Sequence, residues 1–219
     1  MALLLALETA TRNCSVALSN NGKVLAFREV AAQGYTHAEQ LHVFIEEVLA
    51  AAGIGFSELD AIAVSKGPGS YTGLRIGVSA AKGLCYALQK PLIAIDTLTV
   101  LAHAVPQTDG TIIPMIDARR MEVYAAIYSG DKKIIRPVQA EILTSESYAT
   151  VPGTIYVVGD SSDKAKTVLQ DERFQFLDTV QFPSAQVLSC LAFQKWQLQE
   201  FEDVAYFEPF YLKDFMLSK

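Results

Sequence analysis

The chain begins with short apolar runs separated by polar turns, a pattern that is typical of β-strands. Residues 3–9 form an apolar run that ends in a carboxylate, and a second run follows at 14–18. The same order returns in the second half of the chain, at 112–118 and 123–127. Each copy continues with a polar turn and a third apolar stretch. The repetition predicts a duplicated unit.

Further apolar runs and helical periodicity complete the two copies. The other predicted strands are 24–27, 60–65, 92–95, 134–135 and 155–158, and the predicted helices are 36–52, 72–89, 184–200 and one from Asp96 onward. The simplest interpretation of this pattern is a chain of two halves, each with the order β-β-β-α-β-α. The alternative is that two unrelated α/β segments resemble each other by chance. Turn-forming residues at 106–110 predict the boundary between a lobe 1–106 and a smaller, degenerate lobe 107–219.

The helix over 36–52 has clear start and stop signals. Thr36 and Glu39 form a capping box, and Gly53 is typical of a helix C-terminus. The apolar side chains fall in one stripe along this helix. They are Leu41, Phe44, Ile45, Val48, Leu49 and Ala52. Such a stripe faces either the core of the chain or a partner.

The loop 67–73 reads Gly-Pro-Gly-Ser-Tyr-Thr-Gly and connects an apolar strand to a helix. Free N–H groups at a helix start favour an anion. A phosphate-binding P-loop needs a lysine and a hydroxyl after its second glycine, where this chain has Leu74 and Arg75. Anion binding and a tight strand-to-helix turn both remain open from the sequence.

The helix after this loop is rich in small residues. They are Gly73, Gly77, Ala80, Ala81 and Gly83. An interior glycine costs about 1 kcal/mol of helix stability relative to alanine, which close approach of another backbone can offset. The pattern predicts tight packing of this helix, either inside the chain or across a subunit interface.

Composition excludes several classes of protein. With 219 residues, 51% of them hydrophobic, the chain can bury a core. Its mean hydropathy is +0.23, but no run reaches the ~20 apolar residues that a membrane span needs. No signal peptide is recognisable, so we expect a cytoplasmic protein without a membrane partner. The net charge of −6 disfavours tight binding of nucleic acid by the chain alone. Cys14, Cys85 and Cys190 lack a C-x-x-C pair and predict buried free thiols.

Candidate catalytic and metal-binding groups are few. His37 and His42 are five positions apart, which directs them to different faces of a helix, so no metal site is predicted. The isolated thiols and the lack of a G-x-S-x-G elbow predict no nucleophile. Glu8 and Asp117, at equivalent strand ends, are the best carboxylate pair. They either face a cleft that binds a magnesium nucleotide or accept N–H bonds from their own turns.

Duplicated β-β-β-α-β-α halves with a strand-end carboxylate in each resemble the actin-like (ASKHA, ribonuclease H-like) fold, an α/β class with mixed central sheets. A closer resemblance is carried by five stretches of sequence. They are 7–18, 37–41, 66–77, 116–124 and 208–212, of which the most specific is Lys-Gly-Pro-Gly-Ser-Tyr-Thr-Gly-Leu-Arg-Ile-Gly at 66–77. In these stretches the chain resembles the TsaB (YeaZ) family of bacterial tRNA threonylcarbamoyladenosine biosynthesis proteins.

The resemblance implies a non-catalytic subunit with no cofactor of its own. It implies that the chain partners and activates TsaD, which transfers a threonylcarbamoyl group from threonylcarbamoyl-adenylate to the adenosine beside the anticodon. The ATPase TsaE is implied as a further partner, and tRNA is expected to bind only within the complex. The family is often labelled glycoprotease-like, or M22 peptidase, from homology rather than chemistry.

The resemblance also implies pairing through the two helices of the N-terminal lobe, as a homodimer in isolation or with TsaD. The expected interface residues are His37, Leu41, Phe44, Ile45, Val48, Gly73, Leu74, Gly77, Ala81 and Leu84. A charge among these interface residues, as in Gly77→Glu, is expected to abolish pairing and to leave the fold intact.

The alternative function is an actin-like ATPase or small-molecule kinase, and a metallopeptidase is the third candidate. The residues of a possible nucleotide cleft are Glu8, Thr9, Gly67, Gly69 and Asp117. Many members of the family resembled have Asp at the end of the first strand. The longer Glu8 therefore argues against ATP binding by this chain.

Overall fold

The computed structural model describes residues 1–31, 37–106 and 108–213, which divide into two compact units. The first unit comprises Met1–Val100 and Pro183–Phe210, and the second comprises Leu101–Phe182 and the residues from Tyr211 onward. The elements in chain order are β1 (Leu3–Glu8), β2 (Asn13–Asn20), β3 (Lys23–Ala31), α1 (His37–Ala52), β4 (Ala61–Gly67), α2 (Tyr71–Leu88), β5 (Leu92–Asp96), α3 (Thr97–Ala104), β6 (Thr111–Asp117), β7 (Glu122–Tyr128), β8 (Ile134–Ile142), β9 (Ile155–Val158), α4 (Ser162–Lys166), β10 (Phe174–Phe176) and α5 (Ala185–Gln197).

The two sheets have the same topology. The first has the strand order β3-β2-β1-β4-β5, and the second, listed from β8, has the order β8-β7-β6-β9-β10. In each sheet the first three strands pair antiparallel, the fourth strand pairs parallel with the first, and the fifth pairs parallel with the fourth. The predicted duplication is therefore confirmed at the level of strand order and direction.

The central strands β1 and β4 of the first sheet are buried on both faces, which explains their uninterrupted apolar sequences. Leu5 and Leu7 of β1 pack in a cluster with side chains of α1 and α2. Leu4 and Ala6, which alternate with them, pack on the opposite face with α5. The periodicity of two along β1 thus divides the core into two layers.

The helix α5 belongs to the first unit, which corrects the predicted lobe 107–219. Leu188 and Ala192 are fully buried and pack in one cluster with Ala6 and Ala63 of the central strands. These alanines leave room for a helix on that face of the sheet. The helix was assigned to the second lobe because sequence order, rather than packing, set the boundary.

Local signals in the first unit are largely confirmed. Asn21 and Gly22 join β2 to β3 with positive φ values of 51° and 77°, as an Asn-Gly hairpin requires. Gly53 follows α1 at a φ of 65°, and its N–H donates to Ala50 O over 3.1 Å. The predicted capping residue Thr36 lies outside the described residues.

The second unit carries less helix than the first, as its degenerate repeat predicts. Between β9 and β10 it has only the five-residue α4, and no helix stands between β8 and β9, a stretch that the structure describes throughout. Its core consists of side chains such as Ile113, Val123 and Val157, covered by Leu143 and Tyr148. Across the described ranges, no helix is both long and apolar enough to cross a membrane.

Candidate functional site

The turn between β1 and β2 is held by donors from two other segments. The Ser70 N–H donates to Ala10 O over 2.7 Å. His37 is buried, and its Nε2 lies 2.7 Å from Thr11 O, so the ring N–H donates to that carbonyl. Burial lowers the pKa of His37, which favours the neutral ring. The turn is therefore fixed by the start of α1 and by the loop before α2.

The loop 67–73 packs against this turn without space for a side chain. A Cβ at Gly69 would overlap Ala10 O, and a Cβ at Gly73 would overlap Thr9 O. The Thr9 hydroxyl donates to Gly73 O over 2.8 Å, and Ser70 caps α2 by accepting the Gly73 N–H over 3.2 Å. Because the Ser70 and Gly73 N–H groups are used inside the unit, the structure favours the tight-turn interpretation over anion binding.

The end of β4 is covered by the C-terminal segment of the first unit. The Phe210 N–H donates to Lys66 O over 2.7 Å, and a Cβ at the buried Gly67 would stand 2.5 Å from Phe210 O. Lys82 of α2 donates to Phe207 O over 2.8 Å and anchors the same segment. Sequence reasoning missed Lys82, since a lysine on an amphipathic helix is ordinarily expected to be solvated.

Glu8 has no exposed surface and lies at the end of β1. It accepts a hydrogen bond from the Ala10 N–H over 2.7 Å and a short one from the Ser65 hydroxyl. Desolvation raises the pKa of Glu8 to about 7, against the opposing effect of these hydrogen bonds. This geometry agrees with a carboxyl that supports its own turn, one of the two alternatives above.

Asp117 belongs to the second unit and is exposed. Its carboxylate accepts the Arg119 N–H over 2.9 Å and forms an ion pair with Lys164. Its own N–H donates to Asp160 Oδ1 over 2.8 Å. Asp117, like Glu8, thus accepts N–H groups from the turn that follows it.

The described residues offer little for nucleophilic or metal chemistry. Cys14 and Cys85 are buried free thiols, as predicted, and burial raises their pKa values to about 11 and 12, with the charge of Glu8 contributing at Cys14. Cys190 is exposed, contrary to the prediction of a buried thiol. His42 is also exposed. Within the described ranges, no three His, Cys, Asp or Glu side chains are grouped to hold a metal ion.

Most of the expected interface residues lie inside the first unit. The buried ones are His37, Leu41, Ile45, Val48, Gly73, Leu74, Gly77 and Ala81. The stripes of α1 and α2 face their own sheet, so these side chains cannot form a partner surface in this fold, which corrects the expectation. Phe44 and Leu84 are half-buried and remain accessible.

The outer faces of α1 and α2 carry a different set of exposed residues. Val43 on α1 is 47% exposed and Tyr86 on α2 is 83% exposed. Gly83, one turn before the end of α2, has open space where a Cβ would stand, and Ser79 is exposed one turn earlier. A small-residue stripe therefore does face outward, on the side of α2 opposite to Gly77.

Comparison with known proteins gives the family of the chain. The family model described as "TsaD: tRNA N6-adenosine threonylcarbamoyltransferase" matches residues 29–214. The Escherichia coli protein "tRNA threonylcarbamoyladenosine biosynthesis protein TsaB" is 30% identical over 226 positions, covering 96% of this chain and 94% of that protein. The Haemophilus influenzae protein of the same name is 41% identical over 123 positions, covering 55% of this chain and about half, 51%, of that protein.

Solved structures agree. YeaZ from Pseudomonas aeruginosa is 32% identical, with a TM-score of 0.83 and coverage of 97% of this chain and 100% of that chain. Component A of (R)-2-hydroxyglutaryl-CoA dehydratase from Acidaminococcus fermentans, 10% identical with a TM-score of 0.51, covers 89% of this chain and 98% of that chain and shows the fold alone. The fold is the predicted duplicated actin-like one, and the chain belongs to the TsaB (YeaZ) family.

Proposed function

We propose that this chain takes part in tRNA threonylcarbamoyladenosine biosynthesis as a non-catalytic subunit that binds and activates TsaD. The observation that carries the proposal is the relation to Escherichia coli TsaB over 96% of the chain. TsaE and tRNA are partners within the same complex, and a homodimer forms in isolation. The complex acts in the cytoplasm.

The chemistry of the described side chains supports a binding role. The carboxyl of Glu8 is fully buried and engaged by the Ser65 hydroxyl and the Ala10 N–H. Cys14 and Cys85 are buried with raised pKa values, which keeps their thiols protonated at neutral pH. A substrate cannot reach these three groups without opening the first unit, which supports the proposal that the transfer reaction takes place on TsaD.

The partner surface is proposed to be the outer face of α1 and α2. Tyr86 and Val43 are exposed apolar side chains of the kind found at protein interfaces. Gly83, three residues before Tyr86 on α2, has open space where a Cβ would stand, so a partner backbone can approach α2 closely. The outer face replaces the buried stripe that the sequence suggested.

Reconstitution tests the function directly. The assay combines TsaD, TsaE, threonylcarbamoyl-adenylate and tRNA with or without this chain, and it measures modified adenosine by mass spectrometry. We expect modification only when the chain is present. Equal modification without the chain would refute the proposal.

Gly83→Glu tests the surface. The new carboxylate has room in the isolated chain, so the protein is expected to fold normally but to lose co-purification with TsaD. Gly77→Glu is unsuitable, because a Cβ there would overlap the Thr9 hydroxyl and disturb the core. The matched control is Ala149→Glu at an exposed position of the second unit. Pairing retained by Gly83→Glu places the interface elsewhere.

A further inference from the structure

The connection between β6 and β7 has an unusual backbone. Arg119 and Arg120 follow each other with φ values of 69° and 52°, in the left-handed region. Non-glycine residues adopt this region rarely, and glycine or asparagine ordinarily stand there. Two consecutive arginines in this conformation are maintained only when the surrounding contacts hold them.

Lys164 holds the connection from one side. Its ammonium donates to Arg120 O over 2.9 Å and to Glu122 O over 2.7 Å, and it also pairs with the Asp117 carboxylate. The Asp117 carboxylate in turn accepts the Arg119 N–H over 2.9 Å. The backbone of the hairpin is therefore organised independently of the two arginine side chains.

The charges around the hairpin leave the two guanidinium groups available. Lys164 pairs with Asp117, and Lys213 pairs with Glu122. The Asp160 carboxylate accepts the Asp117 N–H. Arg119 and Arg120 are exposed, and neither makes a side-chain hydrogen bond or ion pair with another residue of the described ranges.

Two further groups extend this surface. Tyr124 is half-buried, follows Glu122 on the same face of β7, and lies within the electrostatic influence of Lys213 and Arg119. Cations beside an aromatic ring are typical of surfaces that bind RNA, where arginine contacts phosphates and tyrosine stacks on bases. We define the arginine hairpin as Arg119, Arg120, Tyr124 and Lys213.

We infer that the arginine hairpin binds the phosphate backbone of tRNA within the TsaD complex, an inference that rests on the proposed function. Forked guanidinium groups fit phosphate oxygens, and their pre-organised backbone lowers the entropy lost on binding. The net charge of −6 disfavours RNA contact spread over the surface and favours contact at a local cationic patch such as this one.

The test measures tRNA binding by the reconstituted complex with fluorescence anisotropy over a range of salt concentrations. The variant Arg119→Asn/Arg120→Asn removes both charges, and asparagine tolerates the left-handed backbone. We expect roughly tenfold weaker binding at physiological salt and a salt slope reduced by about 1.4 to 1.8, the value for two lost phosphate contacts.

The matched control is Lys132→Asn/Lys133→Asn in the turn between β7 and β8. Lys132 also has a left-handed backbone, with a φ of 69°, but the two ammonium groups bind Pro106 O and Asp131. We expect this control to leave affinity and salt slope unchanged. Urea unfolding checks that both double variants are folded.

An unchanged salt slope for Arg119→Asn/Arg120→Asn overturns the inference. Loss of TsaD binding with intact affinity for tRNA also overturns it, since the hairpin would then contact protein. Modification that proceeds without the chain instead refutes the proposed function. Modification that needs the chain, with a variant that binds tRNA normally, leaves the proposed function standing and refutes this inference alone.

Discussion

Glu8 shows how little a single residue type says about its role. As a strand-end carboxylate it suggested a magnesium nucleotide site, yet its side chain is fully buried and supports the turn that follows. The sequence could predict the residue at the end of β1, since the apolar run ends there. It could not predict the burial, which depends on Ser65 from a strand far away in the chain.

The raised pKa of Glu8 makes stability depend on pH. The folded-state pKa is about 7 against 4.5 for the free side chain, so the folded protein binds the proton more tightly. This contribution is fully present below about pH 4.5 and is lost as the pH rises through 7, a decline of about 3 kcal/mol in the free energy of unfolding. Glu8→Gln, which stays neutral, is expected to remove that decline and to be the more stable protein at pH 8.

Urea unfolding of both proteins at pH 5 and pH 8 checks this expectation. Glu39→Gln, at an exposed position of α1, is the matched control and is expected to follow the unmodified chain. An identical pH dependence for Glu8→Gln and the unmodified chain would show that Glu8 titrates normally.

At the scale of elements, the sequence predicted most strands and helices, because each has a clear period and clear end signals. The packing partners were harder to predict. The residues left the stripes of α1 and α2 open between the core and a partner, and the resemblance implied a partner, whereas the stripes face the first sheet. A signal was available: β4 alternates Ala61, Ile62, Ala63 and Val64, and such alternation of small and large residues indicates helices on both faces.

The position of α5 predicts the effect of a core substitution. Leu188 is fully buried against the first sheet, so Leu188→Ala is expected to lower the free energy of unfolding by about 2 to 5 kcal/mol. Hydrogen exchange should show the loss of protection in β1 and β4. Gln194→Ala, at an exposed position of the same helix, should have little effect. Loss of protection confined to β6 and β9 would contradict the assignment of α5 to the first unit.

For the whole molecule, the duplicated fold raises the question of nucleotide binding. The fold is shared with component A of a dehydratase only as architecture, at 10% identity. In this chain the β1–β2 turn accepts donors from Ser70 and His37, and Glu8 is occupied by Ser65. Because a shared strand order does not fix a shared ligand, we expect no nucleotide to bind at this turn.

Isothermal titration of the isolated chain with magnesium ATP is expected to give no saturable heat. The reason is that Glu8 and the β1–β2 turn already form their hydrogen bonds within the first unit. TsaE, an ATPase, serves as the positive control in the same buffer. Saturable binding that is lost in Asp117→Ala would instead support the ATPase or kinase alternative.

The return of α5 to the first sheet has a consequence for biosynthesis. The ribosome releases residues 1–100 long before Pro183–Phe210, so β1 and β4 emerge with one apolar face exposed. The second unit can finish most of its sheet during that interval, since β6 to β10 are contiguous. Maturation of the N-terminal part thus waits until α5 has been translated, and nascent chains stalled before α5 should be the ones that chaperones recognise.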